Sequence, residues 1–343
     1  MVSGLTIISV YHNILSKRML ELNYEVTKKL NLDEQFVWLV GDNTPEDFPN
    51  PIQNGRFTVI RNMPAEAYQN LGSHHHASAI NKCLPHVNTR FVVSLDSDFY
   101  IVRPNWIKDV TNYMIKNNLA FFGVPYYAKD WGKYRYFPSV VGMFIDLDKV
   151  DLKDIDYTPG YKMDSTGKIV RAWKEEDGSQ SKKKVSAINI PLPLRHLKNY
   201  LGKIRRTFNM QKRRKSIGGV RDTGYGIYTR FGRTAASECV TAIVRPSQLR
   251  QEVPLGINKA FELFLPDRLC YLPKRKGAVS IIGFVERGYP DIAGLGWEEY
   301  IWKDKPFGTH IHGSLFKLKK RGRTEDEEYE YVRSMLKKFN IGV

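Results

Sequence analysis

Two aspartates, Asp96 and Asp98, form an Asp-x-Asp pair directly after the apolar run 90–95. If that run is a strand, both carboxylates emerge at its carboxyl end. Carboxylate oxygens are the ligands that Mg²⁺ and Mn²⁺ prefer, and a cation held there can neutralise a diphosphate leaving group. Far downstream, His310 and His312 form a second short motif that could complete the coordination. Because Asp-x-Asp also occurs in ordinary turns, its meaning depends on the elements around it.

The elements that must position these aspartates alternate along the chain. The pattern predicts strands at 5–10, 36–40 and 90–95 and helices at 16–30 and 73–83. Strands that alternate with helices predict an α/β fold with an open, mostly parallel sheet and helices on both faces. Ligands of such folds bind beyond the carboxyl ends of the strands. Asp42 and Asp96 would both lie at that edge.

The remaining pattern predicts further elements after the third strand. These are strands at 121–124 and 140–146, regular structure at 263–273 and 308–313, and a C-terminal helix at 324–339. Thr324 could cap this last helix. The aromatic residues between Tyr126 and Tyr136 could stack on a sugar or a base, or could anchor their loop.

The charge of the chain is concentrated in one segment. The 343 residues include 53 Lys and Arg against 36 Asp and Glu, a formal charge of +17. Segment 182–221 holds thirteen basic residues and no acidic one, so the rest of the chain carries only +4. A nearly neutral domain with one strongly basic segment indicates an anionic partner for that segment.

Apolar residues recur within the basic segment at alternating spacings of three and four. They are Leu194, Leu197, Leu201, Ile204 and Phe208. This spacing predicts a basic amphipathic helix, which would lie on an anionic membrane, line a polyanion groove, or pack its apolar stripe on the domain. Candidate contacts to an anionic acceptor are Arg195, Lys198, Arg205, Arg206, Lys212, Arg213, Arg214 and Arg221.

Composition excludes several classes of protein. With 42% hydrophobic and 26% charged residues, the chain is neither disordered nor fibrous. Three scattered cysteines are too few for a disulfide framework and suit a reducing compartment. The sequence has no apolar run of about 18 residues, so no transmembrane segment is expected, and it lacks the pattern of a signal peptide. We therefore expect a cytoplasmic protein, free or peripheral at the inner face of the membrane.

Six short motifs occur along the chain. They are TIISV (6–10), VGD (40–42), GSHHHASAIN (72–81), SLDSD (94–98), DTG (222–224) and FGTHIH (307–312). Together they resemble nucleotide-sugar glycosyltransferases of the GT-A fold, nearest to the family 2-like bacterial enzymes. The resemblance covers about 5–315, apart from 151–221. It implies a UDP- or GDP-sugar donor and a divalent cation, Mn²⁺ or Mg²⁺.

The resemblance also implies roles for individual residues. Asp42 would contact the nucleobase or ribose, Asp96 the ribose or the metal, and Asp98 the metal. One of His310 and His312 would contact the metal or the diphosphate. The implied donor-binding residues are Tyr11, Asp42, Asn81 and Asp96, with the helix that bears Asn81 bordering the donor pocket. The implied metal ligands are Asp96, Asp98, His310 and His312.

Asp222 occupies the place where inverting members of the fold carry their general base. Such a base takes the proton of the attacking acceptor hydroxyl. This chain lacks the usual acidic dipeptide there, because Arg221 and Thr223 flank the aspartate. Asp222 could also cap the following helix, and the two roles are compatible. Alternative bases are Glu238, Glu298 and Glu299.

We expect four segments along the chain. Residues 1–150 would form the donor-binding half, and 151–221 a basic insertion that serves as an acceptor lobe. Residues 222–316 would form the acceptor and catalytic half of the same GT-A domain. Residues 317–343 would contain the C-terminal helix.

Three functions fit the sequence. The first is a metal-dependent, inverting hexosyl- or pentosyltransferase that acts on a lipid-linked glycan or polysaccharide. The second is a phage-type DNA glycosyltransferase acting on a hydroxyl of a modified base, in the host cytoplasm. The third is a non-catalytic nucleic-acid-binding α/β protein, which leaves the Asp-x-Asp and histidine motifs unexplained. The apolar stripe favours the first, because a helix that lines a groove needs no broad apolar face.

Overall fold

The computed structural model describes most of the chain outside the basic segment. The described residues are 2–68, 71–126, 137–163, 169–172, 222–243, 279–280, 282–313, 318–319 and 321–342. The predicted basic helix, its eight candidate acceptor contacts, the aromatic loop 127–136 and the regular structure predicted at 263–273 lie outside them. Among the described residues, no helix combines the length and apolar character needed to cross a bilayer.

The described strands and helices follow the predicted alternation in the first half of the chain. The strands are β1 (Val2–Tyr11), β2 (Phe36–Asp42), β3 (Thr58–Arg61), β4 (Thr89–Leu95), β5 (Phe99–Ile101), β6 (Phe121–Pro125), β7 (Pro138–Asp146), β8 (Tyr161–Met163), β9 (Ile169–Ala172), β10 (Ser237–Cys239), β11 (Thr241–Ile243), β12 (Val279–Ser280), β13 (Glu298–Trp302) and β14 (Lys305–His310). The helices are α1 (Ile14–Leu30), α2 (Gly72–Cys83), α3 (Trp106–Lys116), α4 (Tyr225–Phe231) and α5 (Glu325–Lys338).

The main sheet has seven strands in the order β10-β6-β7-β4-β1-β2-β3. Strand β1 pairs in parallel with both β2 and β4, so these three strands end at one edge. Strand β7 is antiparallel to both of its neighbours, β4 and β6. The predicted α/β fold with a mostly parallel sheet is therefore confirmed, with β7 as the exception.

A second sheet, which the sequence pattern did not predict, has the order β12-β11-β13-β14-β5. Its edge strand β5 begins at Phe99, one residue after Asp98. Strand β14 runs antiparallel to β5, with His310 opposite Phe99 and Thr309 opposite Tyr100. Gly308 makes this approach possible, because a Cβ there would come within 2.7 Å of the Phe99 ring and 2.8 Å of the Tyr100 carbonyl oxygen. The pairing brings His310 to the Asp-x-Asp pair.

Helices α1 and α2 begin and pack in ways that the local sequence explains. Asn13 caps α1 through a capping box with Ser16, in which each side chain accepts from the other's backbone N–H. Helix α2 crosses closely over β2, since a Cβ on Gly41 would lie only 2.8 Å from the Cβ of Ala79. The close crossing fixes the start of α2 near the carboxyl ends of the strands.

The C-terminal helix α5 begins at a capping box between Thr324 and Glu327, so the predicted cap is confirmed. Glu328, in the first turn of α5, is completely buried. Its carboxylate accepts from Arg321 at 2.6 Å, from Arg323 at 2.8 Å and from the Trp297 indole at 2.8 Å. Arg321 also donates to the carbonyl oxygen of Ile311 at 2.8 Å. The helix is thereby tied to the segment that follows β14.

The described chain divides into two compact units. The first contains residues 1–159 and 223–343, and the second contains residues 160–222. The described part of the second unit includes an antiparallel pair, β8 and β9. Both sheets of five or more strands belong to the first unit.

Replacing Glu328 with Gln should destabilise the protein by about 3–5 kcal/mol, because two arginines would lose their carboxylate partner in a buried setting. The control is Glu330→Gln, two residues along the same helix, where the exposed carboxylate lies 3.4 Å from Arg333. That surface pair should contribute less than about 1 kcal/mol. Urea denaturation monitored by circular dichroism measures both changes, and equal midpoints for the two variants would contradict the buried network.

Candidate active site

A cavity of about 900 Å³ opens at the edge where β1, β2 and β4 end. Each strand contributes the residues that directly follow it, His12 after β1, Asn43 after β2 and Asp96 after β4. The start of α2 adds His75 and His76, and the downstream chain adds His310, His312 and Gly313. Because carboxyl ends of parallel strands meet at one edge, residues distant in sequence surround one space.

Three side chains converge at one end of this cavity. The Nε2 atom of His310 lies 3.4 Å from Asp98 Oδ1 and 4.0 Å from Asp96 Oδ2. Candidate ligand atoms of Asp96, Asp98 and His310 all lie within 4.8 Å of one another. Ligands around an octahedral ion with bonds of about 2.1 Å are about 3 Å apart, so this spacing suits a divalent cation. Two carboxylates and one imidazole favour Mn²⁺ or Mg²⁺ over a thiolate-preferring metal.

Asp98 is held in place by the chain on the other side of the site. Its second oxygen, Oδ2, accepts from the backbone N–H of Gly313 at 2.7 Å, and its carbonyl oxygen accepts from Ile311 at 3.0 Å. Burial raises the pKa of Asp98, but the charge and hydrogen bond of His310 outweigh it and hold the pKa well below the ordinary value. Asp98 is therefore ionised and presents Oδ1 to the site. For Asp96, burial raises the pKa above its ordinary value.

A buried carboxylate, Glu298, lies behind the two histidines. Its Oε2 atom is 3.3 Å from His310 Nδ1 and accepts from the Tyr300 hydroxyl at 2.9 Å, and its Oε1 atom is 2.6 Å from His312 Nε2. Burial raises the pKa of Glu298, but His312 and His310 lower it by a larger amount, so the pKa lies well below its ordinary value. Burial lowers the pKa of His310, whereas Asp98 and Glu298 raise it to about 10. His310 thus lies between the carboxylates of Asp98 and Glu298.

The sequence of the chain also matches a known family. The model of Glycosyl transferase family 2 matches residues 8–169, just under half of the chain. The chain has a family 2-like GT-A fold. The resemblance and fold class predicted from the motifs are confirmed. Asp96 and Asp98 lie within the matched range, whereas Glu298, His310 and His312 lie beyond it.

Solved glycosyltransferase structures are also similar to this family 2-like fold, at low identity. S. aureus TarS 1–349 in complex with UDP-GlcNAc is 13% identical, with a TM-score of 0.31 over 45% of this chain and 48% of that chain. The mannosyltransferase PcManGT from Pyrobaculum calidifontis, in complex with GDP-Man and Mn²⁺, is 11% identical, with a TM-score of 0.32 over 43% and 46%.

A third similar structure is a glycosyltransferase involved in the glycosylation of the major capsid of PBCV-1. It is 18% identical, with a TM-score of 0.26 over 44% of this chain and 62% of that chain. The aligned region spans about half the length of the TarS and PcManGT chains. A comparison with curated proteins gave no match.

Three residues expected on the donor side do not line the cavity of the family 2-like fold. Asp42 is buried and pairs with Arg61 at 2.9 Å. Tyr11 is buried, and its hydroxyl accepts from the Ile52 N–H at 3.2 Å. Asn81 donates to Asp156 at 2.8 Å. Each of these side chains has a partner within the protein, and their contacts with the donor stay predictions.

The cavity is lined instead by neighbours of the predicted residues. Asn43 follows Asp42, and His12 follows Tyr11. His76 places its Nε2 atom 3.7 Å from Asp96. The sequence signal for these residues was the polar residues at the ends of β1 and β2 and the histidines of α2. The alternation of side chains along a strand does not predict which residue after the strand will face a cavity. Glu298 had only a weak signal, as an acidic residue in an aromatic run.

The predicted base, Asp222, is half-buried and precedes helix α4. The residue at the N-cap of α4 is Gly224, without a side-chain cap, so the interpretation of Asp222 as the cap is wrong. Its role as base stays a prediction. Of the alternatives, Glu238 accepts from the Tyr113 hydroxyl at 2.9 Å, and Glu299 accepts from the Phe284 N–H at 3.3 Å. Both have structural partners.

We expect Mn²⁺ to stabilise the folded protein, because a ligand that binds only the native state at 100 times its Kd adds about 2.7 kcal/mol. Asp98→Asn should abolish this gain, since it removes a charged ligand. Asp109→Asn is the control, because that carboxylate, on helix α3, is partly exposed and pairs with Arg103. Thermal unfolding with and without Mn²⁺ measures the stabilisation. If Mn²⁺ stabilised Asp98→Asn as much as the original chain, the proposed metal site would be contradicted.

Proposed function

We propose that the protein is a metal-dependent glycosyltransferase that moves a sugar from a nucleotide sugar to a hydroxyl of an anionic or membrane-associated acceptor. The observation that carries the proposal is the convergence of Asp96, Asp98 and His310 on one large cavity. The family 2 match supports the same chemistry and leaves the non-catalytic hypothesis without support. Donors of the proposed class are UDP- and GDP-sugars.

The charges around the cavity support a role for a metal ion. The described lining residues include five histidines, two aspartates and two glutamates, but no lysine or arginine. A diphosphate therefore finds few permanent cations in the described lining. Asp96, Asp98 and His310 would hold Mn²⁺ or Mg²⁺, and the bound ion would neutralise the departing diphosphate. His12 and His76 are placed to donate hydrogen bonds to phosphate oxygens.

The proposed reaction needs one base on the acceptor side. The acceptor oxygen forms a bond to the anomeric carbon, the bond from that carbon to the diphosphate breaks, and its electron pair leaves with the nucleoside diphosphate. The acceptor proton passes to a carboxylate, which we assign to Asp222. A single displacement of this kind inverts the anomeric centre.

The basic segment 182–221 supports an anionic acceptor. The segment contains thirteen cations and no acidic residue, and it ends at the residue before Asp222. The apolar stripe within the segment favours a lipid-linked glycan or polysaccharide at the inner face of the membrane, where basic residues gain about 1 kcal/mol each near anionic lipid. The same cations support DNA carrying a modified base as the alternative acceptor, because phosphate neutralisation dominates such binding.

Donor chemistry can be tested by nucleotide release from a panel of UDP- and GDP-sugars with Mn²⁺. Asp98→Ala should abolish release.

The general base can be tested by a second substitution. Asp222→Asn should bind the donor with an unchanged Kd but lower transfer to an acceptor about 100-fold or more, as expected for loss of a general base. Glu238→Gln is the matched control. Full transfer by Asp222→Asn together with loss in Glu238→Gln would move the base to Glu238.

The acceptor class can be tested by binding to anionic liposomes and to duplex DNA, each at low and raised salt. Changing Arg205, Arg206, Arg213 and Arg214 together to Gln should weaken liposome binding at least tenfold, since each contributes about 1 kcal/mol. A control with Lys28, Lys29, Lys337 and Lys338 changed to Gln removes four charges elsewhere. Tight duplex binding without lipid binding would reject the membrane acceptor and favour DNA.

A further inference from the structure

Glu298 occupies a position that no part of the proposed chemistry uses directly. It is 2% exposed and lies opposite His310 in the pairing of β13 with β14, so both side chains are on one face of the sheet. Among the described residues, its two oxygens contact the Nδ1 atom of His310, the Nε2 atom of His312 and the hydroxyl of Tyr300. Burying an unpaired carboxylate costs free energy, so Glu298 needs these contacts. The contacts in turn constrain the orientation of the two histidine rings.

The carboxylate determines which ring nitrogen of each histidine carries a proton. An ionised carboxylate only accepts, so the nitrogen that faces it must be an N–H. His310 therefore donates from Nδ1 to Glu298. By the same rule its Nε2 atom, 3.4 Å from Asp98 and 4.0 Å from Asp96, carries a proton while no cation is bound, and a cation held by the two aspartates would take the place of that proton. His312 donates from Nε2 at 2.6 Å, so that nitrogen is not available to a cation.

We propose that Glu298 is a positioning residue that selects His310 as the imidazole ligand of the Asp96–Asp98 cation and withholds the Nε2 atom of His312 from coordination. The proposal rests on the metal dependence in the proposed function. His312 then borders the cavity with its Nε2–H directed at Glu298. Carboxylates that receive the second N–H of a ligating histidine fix its orientation in many metal sites.

A competing arrangement would place a metal ion between Glu298, His310 and His312 themselves. Their ligand atoms also lie within 4.8 Å of one another. However, the 2.6 Å separation of Glu298 Oε1 and His312 Nε2 is that of a direct hydrogen bond, whereas two ligands of one ion are about 3 Å apart or more. The other oxygen of Glu298 already accepts from Tyr300. A hydrogen-bonded support explains these contacts without a second ion.

The test measures Mn²⁺ affinity and stoichiometry of the full chain by isothermal titration calorimetry. Glu298→Gln should weaken binding about 10- to 100-fold. The matched control is Glu299→Gln, because Glu299 is the next residue of the same strand, is equally buried at 2% exposure and points to the opposite face. Its affinity should stay within threefold of the original chain.

The histidines give a second comparison that does not depend on how the Glu298 variant folds. His310→Gln should lose Mn²⁺ binding, whereas His312→Gln should stay within about threefold of the original affinity. Long-range ¹H–¹⁵N spectra supply a readout that a merely structural role would not move. They should show His312 protonated on Nε2 in the metal-free protein, and His310 protonated on Nδ1 in the Mg²⁺-loaded protein, with mixed His312 tautomers in Glu298→Gln.

Distinct results would overturn the two proposals. Equal losses in His310→Gln and His312→Gln, equal affinities in Glu298→Gln and Glu299→Gln, or two bound Mn²⁺ ions of which Glu298→Gln removes one, would each contradict the role of Glu298 while keeping the metal site. Absence of Mn²⁺ binding by the original chain, with nucleotide release unaffected by chelators, would instead contradict the metal dependence itself.

Discussion

The pairing of β14 with β5 is the interaction on which the rest of the site depends. It sets His310 opposite Phe99, one residue beyond the Asp-x-Asp pair. Backbone hydrogen bonds from Ile311 and Gly313 to Asp98 continue the contact past the end of the strand. A slip of one residue would turn His310 to the opposite face, because side chains alternate along a strand. The close approach at Gly308 leaves little room for such a slip.

The site is built as a row of alternating carboxylates and imidazoles rather than as a basic pocket. Asp98, His310, Glu298 and His312 follow one another at distances of 3.4, 3.3 and 2.6 Å. Each buried charge has a partner of opposite sign or a hydrogen-bond donor, which offsets the cost of removing it from water. The positive charge of the sequence is concentrated instead in the basic segment 182–221.

The family match covers the first half of the fold, but the site is completed by chain beyond it. Glu298 and His310 come from the second sheet, and the C-terminal helix supports that region through Glu328 and Arg321. Arg321 links Glu328 to the carbonyl oxygen of Ile311, next to His310. One buried carboxylate thus connects the C-terminal helix, through Arg321, to the residue that follows His310.

Much of the first half of the fold, and the start of the C-terminal helix, could be predicted because they depend on local pattern. Hydrophobic periodicity, the strand before Asp96 and the cap at Thr324 each involve a few neighbouring residues, and the structure agrees with them. The sequence alone also determined that two aspartates end a buried strand. It could not show that Asp42 turns to Arg61, that β7 runs antiparallel, or that Glu298 lies behind the histidines. Those features follow from the register of strands distant in sequence, and only the folded chain decides which side chains share a face.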